Sequence, residues 1–257
     1  RSSKKAAQHV LQPRASISPM HRTRYIAALV MLSSFAWSSA AFAQPAAATT
    51  PLLSAVKGAL EPQFIPPPPG TYELPPIDTI VDHSLLDSSD KRVNLFDLTD
   101  SKIAVVSFIY TSCADVGGCP MAAAVLHRID RMLSERPEIR NKVTLMSVSF
   151  DPERDTPARM AEIKQAMQPK TDWHFLTSRT AADLQPVLDD FHQSIAKLWQ
   201  EDGTWSGLFR HVLKVFLLDT DHNVRNIYSL GFFNPQLVFN DIETLLIEQN
   251  QQATRSP

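Results

Sequence analysis

Cys113 and Cys119 are the only thiols in the 257-residue chain, and they lie six positions apart. Thiols this close can close a disulfide staple, cycle as a dithiol/disulfide couple, or hold a soft metal as thiolates. Between them lie Ala114-Asp115-Val116-Gly117-Gly118, and two adjacent glycines let the chain fold back on itself at little steric cost. A disulfide across the loop is therefore geometrically reasonable. A staple here would only join neighbours that the fold already holds together, and a domain of this size has core enough without one. A chemical role is the stronger reading. Pro120 follows Cys119 directly, and proline is favoured at the first helical position, so Cys119 is expected at or next to a helix N-cap. Backbone N–H groups and the macrodipole there favour negative charge, which predicts a stabilised thiolate at Cys119.

The elements that must hold this loop are legible around it. Ile103 to Tyr110 is a near-continuous apolar run and reads as a central buried strand, so the cysteines follow its C-terminal end, where open α/β sheets place ligands. Met121, Val125, Ile129 and Met132 or Leu133 recur at helical spacing up to about Glu135. Val143 to Phe150 is a second strand, Thr156-Pro157 opens a second helix, and a third helix runs from about Ala181 to His192. Val212 to Leu218 is the third strong strand. Residues 219–223 turn it into a fourth from Val224 to Leu230, and a helix from about Pro235 to Gln249 closes the domain. Upstream, Thr79 to His83 and Arg92 to Leu98 read as an N-terminal β-hairpin extension around the polar turn at residues 88–91. The pattern predicts an α/β domain with a central mixed sheet flanked by helices.

Six histidines lie beyond residue 43, and five of them, His83, His127, His174, His192 and His222, read as surface or packing residues. His211 differs because it immediately precedes the third strong strand. In a thioredoxin-like fold that strand lies beside the one leading to the cysteines, so the imidazole can approach the same site. Two thiolates and one imidazole suit copper, since thiolate is soft enough for Cu(I) and imidazole serves either oxidation state.

Three stretches together carry a resemblance to a known family. They are Tyr110-Thr111-Ser112-Cys113 through Cys119-Pro120, then Ser149-Phe150-Asp151-Pro152-Glu153-Arg154-Asp155-Thr156-Pro157, and His211 eight residues before Asp219. The chain over roughly residues 75–250 resembles the Sco/SenC family, thioredoxin-fold copper chaperones linked to assembly of the copper centre of cytochrome c oxidase. The resemblance implies a thioredoxin-like fold and Cys113, Cys119 and His211 as ligands of Cu(I) or Cu(II). The family usually separates its cysteines by three residues, whereas five intervene here. The longer loop either still brings both sulfurs to one metal or marks a branch working mainly as a dithiol/disulfide couple. The DPERDTP stretch also has a structural reading, in which Thr156-Pro157 starts a helix and the charged residues pair to rigidify the loop.

The rest of the chain bounds where and with what this site works. Basic His21-Arg22-Thr23-Arg24 precedes an apolar run from Tyr25 to Phe42 that ends in Ala41-Phe42-Ala43, the small-x-small pattern of a signal-peptide cleavage site. Residues 1–43 are therefore expected to be a signal peptide directing export to the periplasm, the alternative being an uncleaved anchor over residues 25–43. Residues 44–78, rich in Pro and Ala, read as a linker, 79–250 as the thioredoxin-like domain and 251–257 as a disordered tail. All six basic residues before position 44 lie in the targeting segment, which has no acidic ones. The remainder holds 19 basic against 27 acidic residues, a formal charge of −8 that argues against nucleic acid as a partner. The expected partner is a membrane-bound oxidase copper subunit or another exported thiol or copper protein. The competing reading is an enzyme, a thiol–disulfide oxidoreductase in which Cys113 attacks and Cys119 resolves. Against a general disulfide exchanger stand the absence of a two-residue cysteine spacing and of any proline between Phe209 and Leu218.

Overall fold

The computed structural model describes residues 64–255, except 114, 116 and 117. The expected signal peptide at 1–43 and the first part of the expected linker lie outside the described residues. Among the described residues no helix is long and apolar enough to cross a membrane.

The centre of the fold is the pair β4 (Ile103–Ile109) and β5 (Val143–Ser149), parallel and in register from Ile103↔Val143 to Ile109↔Ser149. Every residue of both strands is buried, as an apolar strand covered on both faces requires. On one side β5 pairs in parallel with β6 (Trp173–Thr177), and on the other β4 pairs antiparallel with β9 (Val215–Leu218), which continues into β10 (Asn223–Tyr228). The short β1 (Asp78–Thr79) caps one edge, and the hairpin β2 (Ser84–Asp87) and β3 (Arg92–Asn94) caps the other through β2 and β6. The order is β1-β10-β9-β4-β5-β6-β2-β3, an eight-stranded mixed sheet. A separate two-stranded sheet is formed by β7 (Ile195–Trp199) and β8 (Trp205–His211).

The helices start where local signals place them. In α2 (Cys119–Ser134), Pro120 is tolerated in the first turn, and Met121, Ala122, Val125, Leu126, Ile129 and Leu133 form the buried stripe. In α4 (Pro157–Met167), the hydroxyl of Thr156 accepts from the Arg159 N–H at 3.3 Å, and the helix ends at Gln168 in the left-handed conformation. In α5 (Ala181–Asp190), Thr180 caps in the same way. The closing helix α6 (Pro235–Arg255) packs against α2.

Several expectations need correction. The turn at residues 88–91 is real, but the hairpin strand before it is Ser84–Asp87 rather than 79–83, and Leu95 to Thr99 form a short helix, α1. Asn94 makes no side-chain cap. The Phe96 N–H instead donates to Asp82 Oδ1 at 3.0 Å, a cap delivered from fourteen residues away that no local pattern announces. The short helix α3 (Pro137–Arg140), the strand β6 and the hairpin β7–β8 were not expected. The third strong strand begins at Val215 rather than Val212, so His211 ends a hairpin strand instead of leading into a sheet strand. Helix α6 runs to Arg255 and takes in most of the expected tail. The described part of the linker is also not a free tether. The Pro67 carbonyl accepts from Asn240 Nδ2 at 2.8 Å, the Gly70 N–H donates to Thr244 Oγ1 at 3.0 Å, and Leu74 is buried.

Candidate metal centre

The two sulfurs and one ring nitrogen of His211 all lie within 4.8 Å of one another, the only such group of His, Cys, Asp or Glu among the described residues. Each ligand atom arrives by a different route. Cys113 sits on the loop after β4, in a turn in which its N–H donates to the Tyr110 carbonyl at 3.3 Å. Cys119 is the first residue of α2, and its sulfur accepts from the Tyr110 N–H at 3.5 Å. His211 ends β8, with its ring 4.9 Å from that of Phe150 and 5.8 Å from that of Tyr110. The sequence expectation that these three converge is met in the structure. His211 arrives by a different route from the expected one, on a hairpin outside the main sheet.

Gly118 explains how the sulfurs come close. A Cβ at that position would stand 3.3 Å from Cys113 Sγ and 3.3 Å from the Asp115 carbonyl oxygen, so the missing side chain is room for the sulfur. Its φ of −96° shows that a left-handed backbone is not what this glycine supplies. The loop closes through the Gly118 N–H donating to the Asp115 carbonyl at 3.0 Å. Neither cysteine is in a disulfide; Cys113 is half-buried and Cys119 buried.

The electrostatics correct one expectation outright. Burial pushes the Cys119 thiol up to about 12, with the Tyr110 N–H acting the other way and the neighbouring Cys113 raising it further. Desolvation outweighs the helix N-terminus, so the metal-free protein holds a protonated thiol at Cys119 rather than a stabilised thiolate. Burial also drives the His211 pKa below its ordinary value, against smaller opposing effects from the Val212 backbone and Asp115. A neutral imidazole keeps its lone pair, as ligation requires. Tyr110, buried next to both cysteines, has its phenol pushed to about 12, first by desolvation and then by Cys113. Its ring and that of Phe150 seat the imidazole, a role for which the sequence carries no separate signal.

The DPERDTP stretch turns out to be a fastening for the cysteine loop. Asp155 is fully buried and accepts from the Thr111 N–H at 2.9 Å, the Thr111 hydroxyl at 2.5 Å and the Ser149 hydroxyl at 2.5 Å. Thr111 is two residues before Cys113, so the end of β5 anchors the base of the loop. Asp151 and Arg154 form the ion pair that the structural reading of the motif expects. Among the described residues the other five histidines each have a partner elsewhere: His83 with Asp190, His127 with Arg131, His174 with Asp172, His192 with Asp78 and His222 with Thr99.

A mixed sheet with a dithiol at the junction of its central strand and a helix, met by an imidazole, defines a thioredoxin-like protein with a two-thiol, one-imidazole centre. The SCO1/SenC family model matches residues 73–247, and the chain belongs to that family. Among solved structures, copper-bound ScoI of Arabidopsis thaliana is similar at a TM-score of 0.56 and 21% identity, covering 66% of this chain and 99% of the other. Copper-bound ScoI of Bradyrhizobium japonicum is similar at 0.52 and 22%, covering 63% and 98%. BsSco, described as having a disulfide switch and as a member of the Sco family of cytochrome c oxidase assembly proteins, is similar at 0.51 and 22%, covering 66% and 95%. At such identities the likeness speaks to the fold. Comparison with curated proteins finds no match.

Proposed function

We propose that this protein is an exported copper-binding factor that holds copper through Cys113, Cys119 and His211 and serves assembly of the copper centre of a respiratory oxidase. The observation that carries the reading is the convergence of two thiols and a neutral imidazole within 4.8 Å, despite five residues between the cysteines. Thiolate and imidazole are the donors that suit copper in either oxidation state. Copper in the related ScoI structures, and the description of BsSco as an oxidase assembly protein, support the same reading for this chain. Copper here is cargo. The buried Cys119 thiol must lose its proton on loading, so binding releases protons and strengthens as pH rises.

A second reading rests on the same pair. Two free sulfurs this close, one half-exposed and one buried, are arranged as attacking and resolving thiols of a dithiol/disulfide couple. The two readings part on one experiment, copper stoichiometry of the reduced, purified protein after dialysis against a moderate chelator. One Cu(I) per chain, lost when Cys113 and Cys119 are oxidised to a disulfide, is expected. A protein that reduces a model disulfide well and retains no copper is an oxidoreductase instead.

A further inference from the structure

His211 is carried on β7–β8, a two-stranded sheet that shares no ladder with the eight-stranded one. A lone hairpin is marginally stable in water, so side chains must set where it stands. Among the residues that reach it from the body of the domain is Arg154. Its Nε donates to the carboxylate of Asp151, whose side chain is 1% exposed, and this fixes the guanidinium at its root. The guanidinium carbon lies 4.4 Å from the ring centre of Trp205 on β8 and 5.9 Å from those of Phe209 and Tyr110. One guanidinium nitrogen, Nη2, is buried there with no hydrogen-bond partner, so ring faces rather than acceptors hold this end of the side chain. Gly207 lies against the other end of the guanidinium. Its φ of +81° is one that L side chains rarely adopt, and a Cβ there would stand 3.4 Å from Arg154 Nη1.

The contacts run on to the metal ligand. Phe209 meets Tyr110 at 5.3 Å and Phe150 at 5.4 Å, and these two rings seat the His211 imidazole. A second tie runs parallel to the first, as Lys197 on β7 pairs with Glu153 at 3.1 Å and lies 4.4 Å over the face of Trp205. One short loop thus fastens both halves of the centre, the cysteine loop through Asp155 and the histidine hairpin through Arg154.

We infer that Arg154 is a positioning residue for copper binding, holding the β7–β8 hairpin by its stack on Trp205 so that His211 meets the two sulfurs. The inference rests on the three-ligand reading above. Arg154→Lys keeps the charge next to Asp151 and removes the planar stack. Cu(I) affinity is measured by chelator competition on the full protein, for Arg154→Lys alone and in a His211→Ala background. Partners that orient a ligand change metal affinity by roughly ten- to a hundredfold, and that loss is expected of Arg154→Lys alone. In the His211→Ala background the loss should shrink to within about twofold, because the residue it orients is gone. Trp205→Leu removes the other half of the stack without touching buried Asp151 and should lose affinity in the same background-dependent way. In the metal-free protein, the nuclear Overhauser contact between the His211 and Phe150 rings should weaken in both variants. Wild-type affinity in both variants, or equal losses with and without His211, overturns the inference. A wild type that binds no more tightly than His211→Ala overturns the ligand set and the inference together, an outcome distinct from either.

Discussion

At the scale of single residues, the centre is defined by what burial does to protons. Cys119 is protonated at neutral pH in the free protein, because desolvation raises its thiol to about 12, while the unfolded chain releases the same proton near its ordinary value of about 9. A group raised in the folded state contributes stability that is complete below the unfolded value and is lost as pH climbs through the folded one. The reduced, metal-free protein should therefore lose stability between about pH 9 and pH 12, at up to about 1.4 kcal/mol per unit. Chemical denaturation of wild type and Cys119→Ala across that range checks this, and equal slopes in the two proteins would refute it. His211 makes the complementary case. His211→Ala removes a ligand but no core side chain, so Cu(I) affinity should fall by more than about tenfold, exceeding the least effect of losing an outer orienting partner, while melting and Cys113–Cys119 oxidation stay unchanged. Unchanged affinity would make the histidine a bystander.

At the scale of elements, the site is the meeting of a strand end, a helix start and a hairpin end, and two substitutions separate geometry from stability. Gly118→Ala places a methyl 3.3 Å from Cys113 Sγ and from the Asp115 carbonyl oxygen, tighter than ordinary contact, so the loop must shift and the sulfurs part. Copper binding should weaken markedly, with only a small change in the denaturation midpoint. Asp155→Ala, which also loosens the base of the cysteine loop, acts chiefly on stability. It strands the Thr111 N–H and hydroxyl and the Ser149 hydroxyl, and buried donors left without an acceptor cost about 1–3 kcal/mol each. A loss of roughly 3 kcal/mol in urea denaturation is expected, and less than about 1 kcal/mol would mean that water replaces the carboxylate.

At the scale of the whole molecule, residues 64–78 are a strap that completes the domain. Tyr72 donates to Asp241 Oδ1 at 2.5 Å, and the same buried carboxylate accepts from Tyr228 at 2.6 Å and Asn226 at 2.9 Å, so one acid on α6 gathers the strap and β10. Arg225, paired with Asp219 at 2.9 Å and Glu248 at 2.7 Å, also donates to the Leu74 carbonyl. A protein begun at residue 79, where the sequence places the domain, should be less stable than one begun at residue 64, because it leaves Asp241 and Arg225 short of partners and exposes the Leu74 site. Comparing the two melts checks this, and equal melting temperatures would show that the strap merely lies on the surface.

The parts of this protein that the sequence determines by itself are those written within a few residues of one another. The apolar runs of β4 and β5, the Pro120 and Thr156-Pro157 helix starts, the turn at 219–223 and the closeness of Cys113 and Cys119 across a glycine-bearing loop all depend on local conformational preference and short closure. The tertiary structure alone decides what depends on burial or on partners distant in the chain. The Asp82 cap on α1 comes from fourteen residues upstream, the Pro-rich strap bonds to a helix some 170 residues later, and neither leaves a local pattern. The hairpin that brings His211 shares no ladder with the main sheet and meets the domain through side chains, so strand periodicity does not reveal where it stands. The protonation of Cys119 is hidden from the sequence for the same reason. A helix start can be read in sequence and favours the thiolate, but the desolvation that outweighs it exists only once β4, α2 and the aromatic seat have closed around the sulfur.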